Sequence, residues 1–384
     1  MAIVLAYAGM PLFSAADIVW HDQAPRTSTL DGLRGFLATG VFFHHASIYY
    51  LFLRTGVWKL PPSFFYTQLG QSSVSLFFMI TGYLFWGKAI RGRGRLDWKA
   101  LYVGRIFRIA PLYYLAILLM LFAVFLQTRF TLLQSASTLL RQLAPLTLFG
   151  FKNPGQTINT YRDPGLILAG VTWTLHYEWL FYLIVLPVSA FFARLPRGHL
   201  GLSLTGLAIC FVMITHTPSI NWVAATDFFA GMACVSVQQH TTWLDKHLDD
   251  RAKSIITIGL LTLLFSNFDT AYAAIPILML GTLFFLITSG CTLFGLLLTR
   301  AARRLGEISY GIYIFQGLAL YAIFYFIPLR NFALSSAPHY WMTIAIAGLG
   351  LVTFALFAHI AFELPGIKAG KTLIKKLRKK TAAK

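Results

Sequence analysis

Arg34 and His45 stand eleven positions apart in a segment, residues 33–46, whose other members are nearly all apolar. At 100° per residue, eleven steps make three turns plus roughly 20°, so a helix puts both side chains on one face, about 16 Å apart along its axis. A guanidinium and an imidazole are expensive in hydrocarbon, and the pair on one face reads as a functional polar track inside a helix bundle. Each alone has a plainer explanation, since an arginine can snorkel to the interface and a histidine can satisfy a neighbouring helix. The imidazole can move a proton near neutral pH, and the cation can hold an anion. His44 points to another face and reads as structural.

Further along, Arg105 and Arg108 are three residues apart, so one helix presents both to a single polyanion. They follow a basic connector with Lys88, Arg91, Arg93, Arg95 and Lys99 against one acid, Asp97, and those connector residues read as topology signals only. Glu178 is one of three glutamates and lies among Trp173, Tyr177, Trp179 and Phe181. A carboxylate there can hold the His45 ring in its useful tautomer or bind an acceptor hydroxyl; the plainer reading is an acid near a helix N-terminus. Tyr161, Trp173 and Tyr177 are candidate acceptor-binding aromatics, which interfacial belts explain equally well. His176 reads as structural, and Asp227 is an intramembrane acid of open role.

The elements that must position these residues are apolar helices. The 384-residue chain is 57% hydrophobic and 12% charged, with a mean hydropathy of +0.67. That is far more apolar than an ordinary globular domain, and it predicts an all-α, polytopic integral membrane bundle. Spanning stretches fall at residues 33–53, 73–90, 109–126, 179–192, 200–214, 222–237, 255–268, 272–288, 308–326 and 341–362, giving about ten helices. With both termini cytoplasmic, only Arg54, Lys59, Arg129, Arg141, Lys152, Arg162 and Arg330 of the 32 Lys and Arg fall outside, as the positive-inside rule requires. The net charge of +19 is thereby explained without nucleic acid, because the basic residues sit between spans and do not cover a soluble face.

Residues 1–27 are expected to form an N-terminal interfacial segment, with an eleventh span as the alternative for residues 1–20. Residues 366–384 are expected to form a basic cytoplasmic tail suited to an anionic leaflet. Cys210, Cys234 and Cys291 lack metal-ligand spacing and read as core; no metal site is expected. The external segment between the third and fourth stretches contains Lys152-Asn-Pro-Gly155 and Arg162-Asp-Pro-Gly165, two turn signals, and is long enough for a lid or substrate loop.

Five blocks resemble, in order, the acyltransferase-3 family of integral membrane O-acyltransferases. They are Leu30-Asp-Gly-Leu-Arg-Gly35 with His45, Ser73-Val-Ser-Leu-Phe-Phe-Met-Ile-Thr-Gly-Tyr-Leu84, Tyr102-Val-Gly-Arg-Ile-Phe-Arg-Ile-Ala-Pro-Leu-Tyr-Tyr114, Trp173-Thr-Leu-His-Tyr-Glu-Trp-Leu-Phe-Tyr182 and Leu305-Gly-Glu-Ile-Ser-Tyr-Gly-Ile-Tyr-Ile-Phe-Gln316. The resemblance covers residues 28–365. It implies an acetyl-CoA or other acyl-CoA donor as co-substrate, with no bound cofactor. Arg34, Arg105 and Arg108 would bind the acyl-CoA, and His45 and Glu178 would be the catalytic pair. The implied acceptor is a glycan such as an O-antigen of lipopolysaccharide or an exopolysaccharide unit. The implied location is the bacterial inner membrane. Two positions depart from the pattern: Ser75 stands where an acid is expected, and Gln316 where many relatives carry a histidine. Gln316 can hydrogen-bond but cannot take a proton.

A different class fits the same polar residues. A proton-coupled transporter, or a flippase of a lipid-linked sugar, also needs intramembrane Arg, His and Glu. Such carriers often show matched halves with broken helices, and no internal repeat is visible in this sequence. Release of CoA separates the two readings.

Overall fold

The computed structural model describes residues 1–22, 25–152, 155–195, 197–241 and 246–382. It is almost wholly helical. In chain order the helices are α1 Ala2–Ala8, α2 Pro25–Thr55, α3 Phe64–Arg91, α4 Trp98–Gln127, α5 Ala136–Leu143 and α6 Trp173–Leu180. There follow α7 Leu186–Phe192, α8 Gly198–His216, α9 Ile220–Gln238, α10 Asp250–Asn267 and α11 Ala274–Thr288. The last are α12 Arg300–Glu307, α13 Ser309–Tyr325, α14 Ile327–Ser335, α15 Ala337–Ala358 and α16 Leu364–Ala382. Two π-helical turns, Phe181–Val185 and His359–Glu363, join α6 to α7 and α15 to α16. Starts are marked by side-chain caps where the sequence offers Ser or Asp: Ser63 accepts from Tyr66 N, Asp97 from Ala100 N and Asp249 from Ala252 N.

All ten apolar stretches are helical. Among the described residues seven helices are long and apolar enough to cross a membrane, and eight when α12 and α13 count as one broken span. The ten-helix expectation exceeds this because α11 has only 15 residues, about 22 Å of helix, and α10 begins with charged residues. Lipid-facing positions explain large exposed apolar side chains such as Leu118, Phe122 and Val188.

The chain forms two compact units. One comprises residues 1–96 and 177–309, the other 97–176 and 310–384. In the first, α2 lies backbone to backbone against the segment 297–306. A Cβ on Gly32 would sit 1.9 Å from the Leu297 carbonyl oxygen, and one on Gly306 would sit 1.8 Å from that of Asp31. The glycines of the Leu30–Gly35 block are therefore contact residues of α2. Helices α3 and α9 approach as closely at Gly82 and Gly231, over a core that includes Leu76, Met79, Ile80, Leu280 and Phe284.

Among the described residues the amino-terminal segment folds as two short helices in succession, neither of them among the helices long and apolar enough to cross a membrane. Seven residues of α1 pass into a 3-10 helix, Pro11–Asp22, and Arg304 of α12 binds the turn between them. Its guanidinium donates to the carbonyls of Gly9 and Met10 at 3.0 and 2.8 Å and to both oxygens of Asp17 at 2.8 and 2.6 Å.

In the second unit, α16 continues the tail as helix and packs on α4. Arg378 donates to Asp97, whose carboxyl is held below the usual range by the Ala100 amide first and Arg378 second. The segment between α4 and α6 is built around a fully buried Asn159, whose side chain bonds Thr128 Oγ1, the Thr131 carbonyl and the Leu133 amide. It carries a two-stranded hairpin, β1 Thr157–Ile158 and β2 Tyr161–Arg162, turned by Asn159 and Thr160 at positive φ. Of the two turn signals, the one at 162–165 opens a 3-10 helix, Pro164–Leu168; the other includes Asn153 and Pro154, which lie outside the described residues.

Candidate active site

Helix α2 carries Arg34 and His45. Arg34 is about one-quarter exposed, and its Nη1 lies 3.4 Å from Asp31 Oδ1, one helical turn earlier. The same block thus supplies the arginine and a carboxylate that steadies it. His45 is half-buried, and its Nδ1 lies 3.1 Å from the Val41 carbonyl oxygen. A carbonyl only accepts, so Nδ1 bears the proton, and in the neutral ring Nε2 is the basic nitrogen. The Trp58 ring stacks nearby, 6.2 Å between centroids.

His44 is more deeply enclosed. It is buried, its Nδ1 lies 2.7 Å from the Tyr66 carbonyl oxygen, and its ring occupies the space left by Gly70, where a Cβ would come within 2.3 Å of the imidazole. The ring is thus enclosed between α2 and α3, on a different face of α2 from His45.

Glu178 sits in the last turn of α6, just before the π-helical turn. Its Oε2 accepts from the Tyr182 hydroxyl at 3.1 Å. Of the two roles considered for it, setting the His45 tautomer is already served at Nδ1 by the Val41 carbonyl. Tyr177 donates to Asn221 Oδ1 at 2.7 Å, and its ring packs edge-on to Phe78. The π-helical turn adds one residue to the helical repeat and so changes which faces Glu178 and the following residues present, a device common at functional sites.

Across the α3–α9 contact, the buried carboxyl of Asp227 faces the buried hydroxyl of Ser75. The α3–α9 contact thus brings a buried acid close to the hydroxyl at position 75. Sequence reading could not make this pairing, because 152 positions separate the two residues.

In the second unit, Arg105 and Arg108 project from neighbouring turns of α4. Arg108 Nε lies 3.6 Å from Glu363 Oε1, and Glu363 Oε2 accepts from or shares a proton with His359 Nδ1 at 2.8 Å. His359 and Glu363 are both buried, in the second π-helical turn. This Arg–Glu–His cluster was not anticipated. The available signal was a His and Glu four apart at the end of the last apolar stretch.

Trp173 is half-buried at the start of α6. Tyr161 hydrogen-bonds Tyr321, which also accepts from Gln127 at 2.7 Å. Burial first, and the neighbouring Tyr321 second, push the Tyr161 hydroxyl up to about 12, so it stays a neutral donor at any physiological pH. His176 Nδ1 meets the Phe151 carbonyl oxygen at 2.9 Å, a structural contact. Gln316 is buried and donates to the Tyr313 carbonyl at 2.9 Å.

Neither the curated proteins nor the solved structures compared with the chain gave a match. A family model described as an acyltransferase domain matches residues 28–361, from the turn before Arg34 to the second π-helical turn. The match takes in all five blocks, the α2 track, the α4 arginines and the Glu178 helix, and so the chain belongs to the acyltransferase-3 family, as a multi-pass membrane acyltransferase.

Proposed function

We propose that the protein is an O-acyltransferase of the bacterial inner membrane, moving an acyl group, taken first as acetyl, from cytoplasmic acyl-CoA to a hydroxyl of a glycan such as an O-antigen or exopolysaccharide unit. The observation that carries the reading is His45: its protonated Nδ1 is fixed by the Val41 carbonyl, which leaves Nε2 as the base, on a helix that also bears Arg34.

The chemistry balances simply. His45 Nε2 takes the proton of the acceptor hydroxyl as its oxygen attacks the thioester carbonyl carbon. The tetrahedral intermediate expels the CoA thiolate, the C–S bond breaks, and the imidazolium returns the proton to sulfur. Attack by Nε2 itself, forming an acyl-His intermediate, reaches the same products in two steps. Glu178, hydrogen-bonded by Tyr182, orients the acceptor hydroxyl or stabilises the imidazolium. Arg34, and in the second unit Arg105 and Arg108, are the donor-phosphate ligands to be tested one at a time. Tyr161, Trp173 and Tyr177 are the aromatic surfaces for sugar rings.

The test is incubation of purified protein in nanodiscs with radiolabelled acetyl-CoA and an envelope glycan extract. Label on glycan together with free CoA, and loss of both in His45→Ala and Arg34→Ala, is the expected result. No transfer, no CoA release and no donor binding would overturn the reading in favour of a carrier.

A further inference from the structure

Four arginines converge on one cavity that none of the roles above uses. Arg91 ends α3, Gly92 caps it, and Arg93 and Arg95 follow in the connector; Arg194 comes from just beyond α7, about a hundred residues later. With Gly92 they line a cavity of about 480 Å³. Its size falls within the roughly 300–1,000 Å³ of small-molecule sites, but those are mostly apolar and this one is lined by four arginines and a glycine.

The loop that builds it is fixed. Arg93 and Gly94 both adopt positive φ, and the Gly94 and Arg93 amides return to the Ala89 and Ile90 carbonyls at 2.8 and 2.9 Å. A Cβ on Gly94 would lie 2.2 Å from the Ala190 carbonyl oxygen of α7 and 2.8 Å from Arg194 Cγ, so the loop is pressed against the segment that delivers Arg194.

Charge balance is the second observation. Among the described residues no carboxylate pairs with any of the four arginines. Asp97, the one acid of the connector, spends its oxygens on the Ala100 amide and Arg378. The positive-inside rule accounts for basic residues in this loop but not for their closing on one cavity with a fourth from elsewhere in the chain, nor for arginine at every charged position of the wall. Arginine differs from lysine in presenting a rigid fork matched to phosphate oxygens.

We infer that the cavity lined by Arg91, Arg93, Arg95 and Arg194 binds a ligand carrying phosphate groups, with the guanidinium forks as its ligands. Such phosphates come either from a soluble nucleotide or from an anionic phospholipid headgroup. The inference does not depend on acyl transfer, since it is read by binding alone.

The test uses the full chain in nanodiscs of phosphatidylcholine. Calorimetric titration with adenosine 3′,5′-bisphosphate is one arm, and native mass spectrometry of phosphatidylglycerol retained from mixed discs is the other. Two variants are compared: Arg91→Gln/Arg93→Gln/Arg95→Gln/Arg194→Gln, and Arg93→Lys/Arg194→Lys, which preserves charge and hence topology while removing two forks. Binding of either probe to wild type, at least tenfold weaker in the lysine variant and lost in the glutamine variant, is expected. The arm that responds identifies the source of the phosphate. No binding of either probe to wild type, or binding unchanged in the lysine variant, would overturn the inference.

Discussion

Arg108 and Glu363 lie 3.6 Å apart, the guanidinium more than one-third exposed and the carboxylate fully buried. The pair gives Arg108 a structural duty besides any contact with a donor. Removing it strips the charged partner from a buried acid, at a cost of about 1–3 kcal/mol of stability. Arg108→Ala is expected to lower the thermal midpoint in nanodiscs, and so is Glu363→Gln. Because the two residues share one interaction, the double variant should lose less than the two single losses combined. Strict additivity in the thermal melts would show them to be independent.

His45 and His44 are adjacent in the chain but differently placed, the first half-buried and the second buried. For His45→Ala we expect transfer to fall by about 10²–10⁴, the usual worth of a general base, with donor binding and thermal midpoint unchanged. Gly70→Ala should do the reverse. Its Cβ would meet the His44 ring at 2.3 Å, so overpacking of about 1–3 kcal/mol should appear as lost stability, while the transfer rate of the folded fraction is retained.

Asn159 should hold the external segment in place. Its side chain makes three hydrogen bonds and its amide a fourth, to Gln142 Oε1 at 3.1 Å. Asn159→Ala leaves the Leu133 amide without its acceptor and is expected to raise hydrogen exchange across residues 128–163 by at least tenfold. Exchange in α2 and α3 should stay as in wild type. Unchanged exchange in 128–163 would show that the segment is held by other contacts.

Docking of the amino-terminal segment should depend on pH. The Asp17 carboxyl is held below its usual range, chiefly by the hydrogen bond from Arg304, with desolvation opposing. A depressed carboxyl pKa contributes stability that is fully present above the ordinary value of about 3.9 and is lost as pH falls through the depressed value. Hydrogen-exchange protection of residues 2–17 should therefore be constant from neutral pH to about 5 and decline below 4. Asp17→Asn should show the reduced protection already at neutral pH; protection equal to wild type would rule the contact out as the tether.

Much of this was legible in the chain. The ten apolar stretches are helices because apolar runs of that length have no other way to satisfy their backbone in lipid. That Arg34 and His45 share one helix, and that His44 on a different face is buried against Gly70 while His45 is half-buried, follows from helical geometry. What could not be read depends on which helices touch. Asp227 opposite Ser75 requires knowing that α3 and α9 meet, and Arg194 reaches the connector arginines only because Gly94 admits α7. The amino-terminal turn is held by Arg304, nearly three hundred positions away in the chain.

The glycines at 32, 35 and 306 have a mechanical consequence. With backbone carbonyl oxygens 1.8–2.7 Å from where their β-carbons would be, an alanine at any of the three would force α2 away from the 297–306 segment. Arg34 lies between Gly32 and Gly35, so the seating of α2 on that segment also sets where its guanidinium stands.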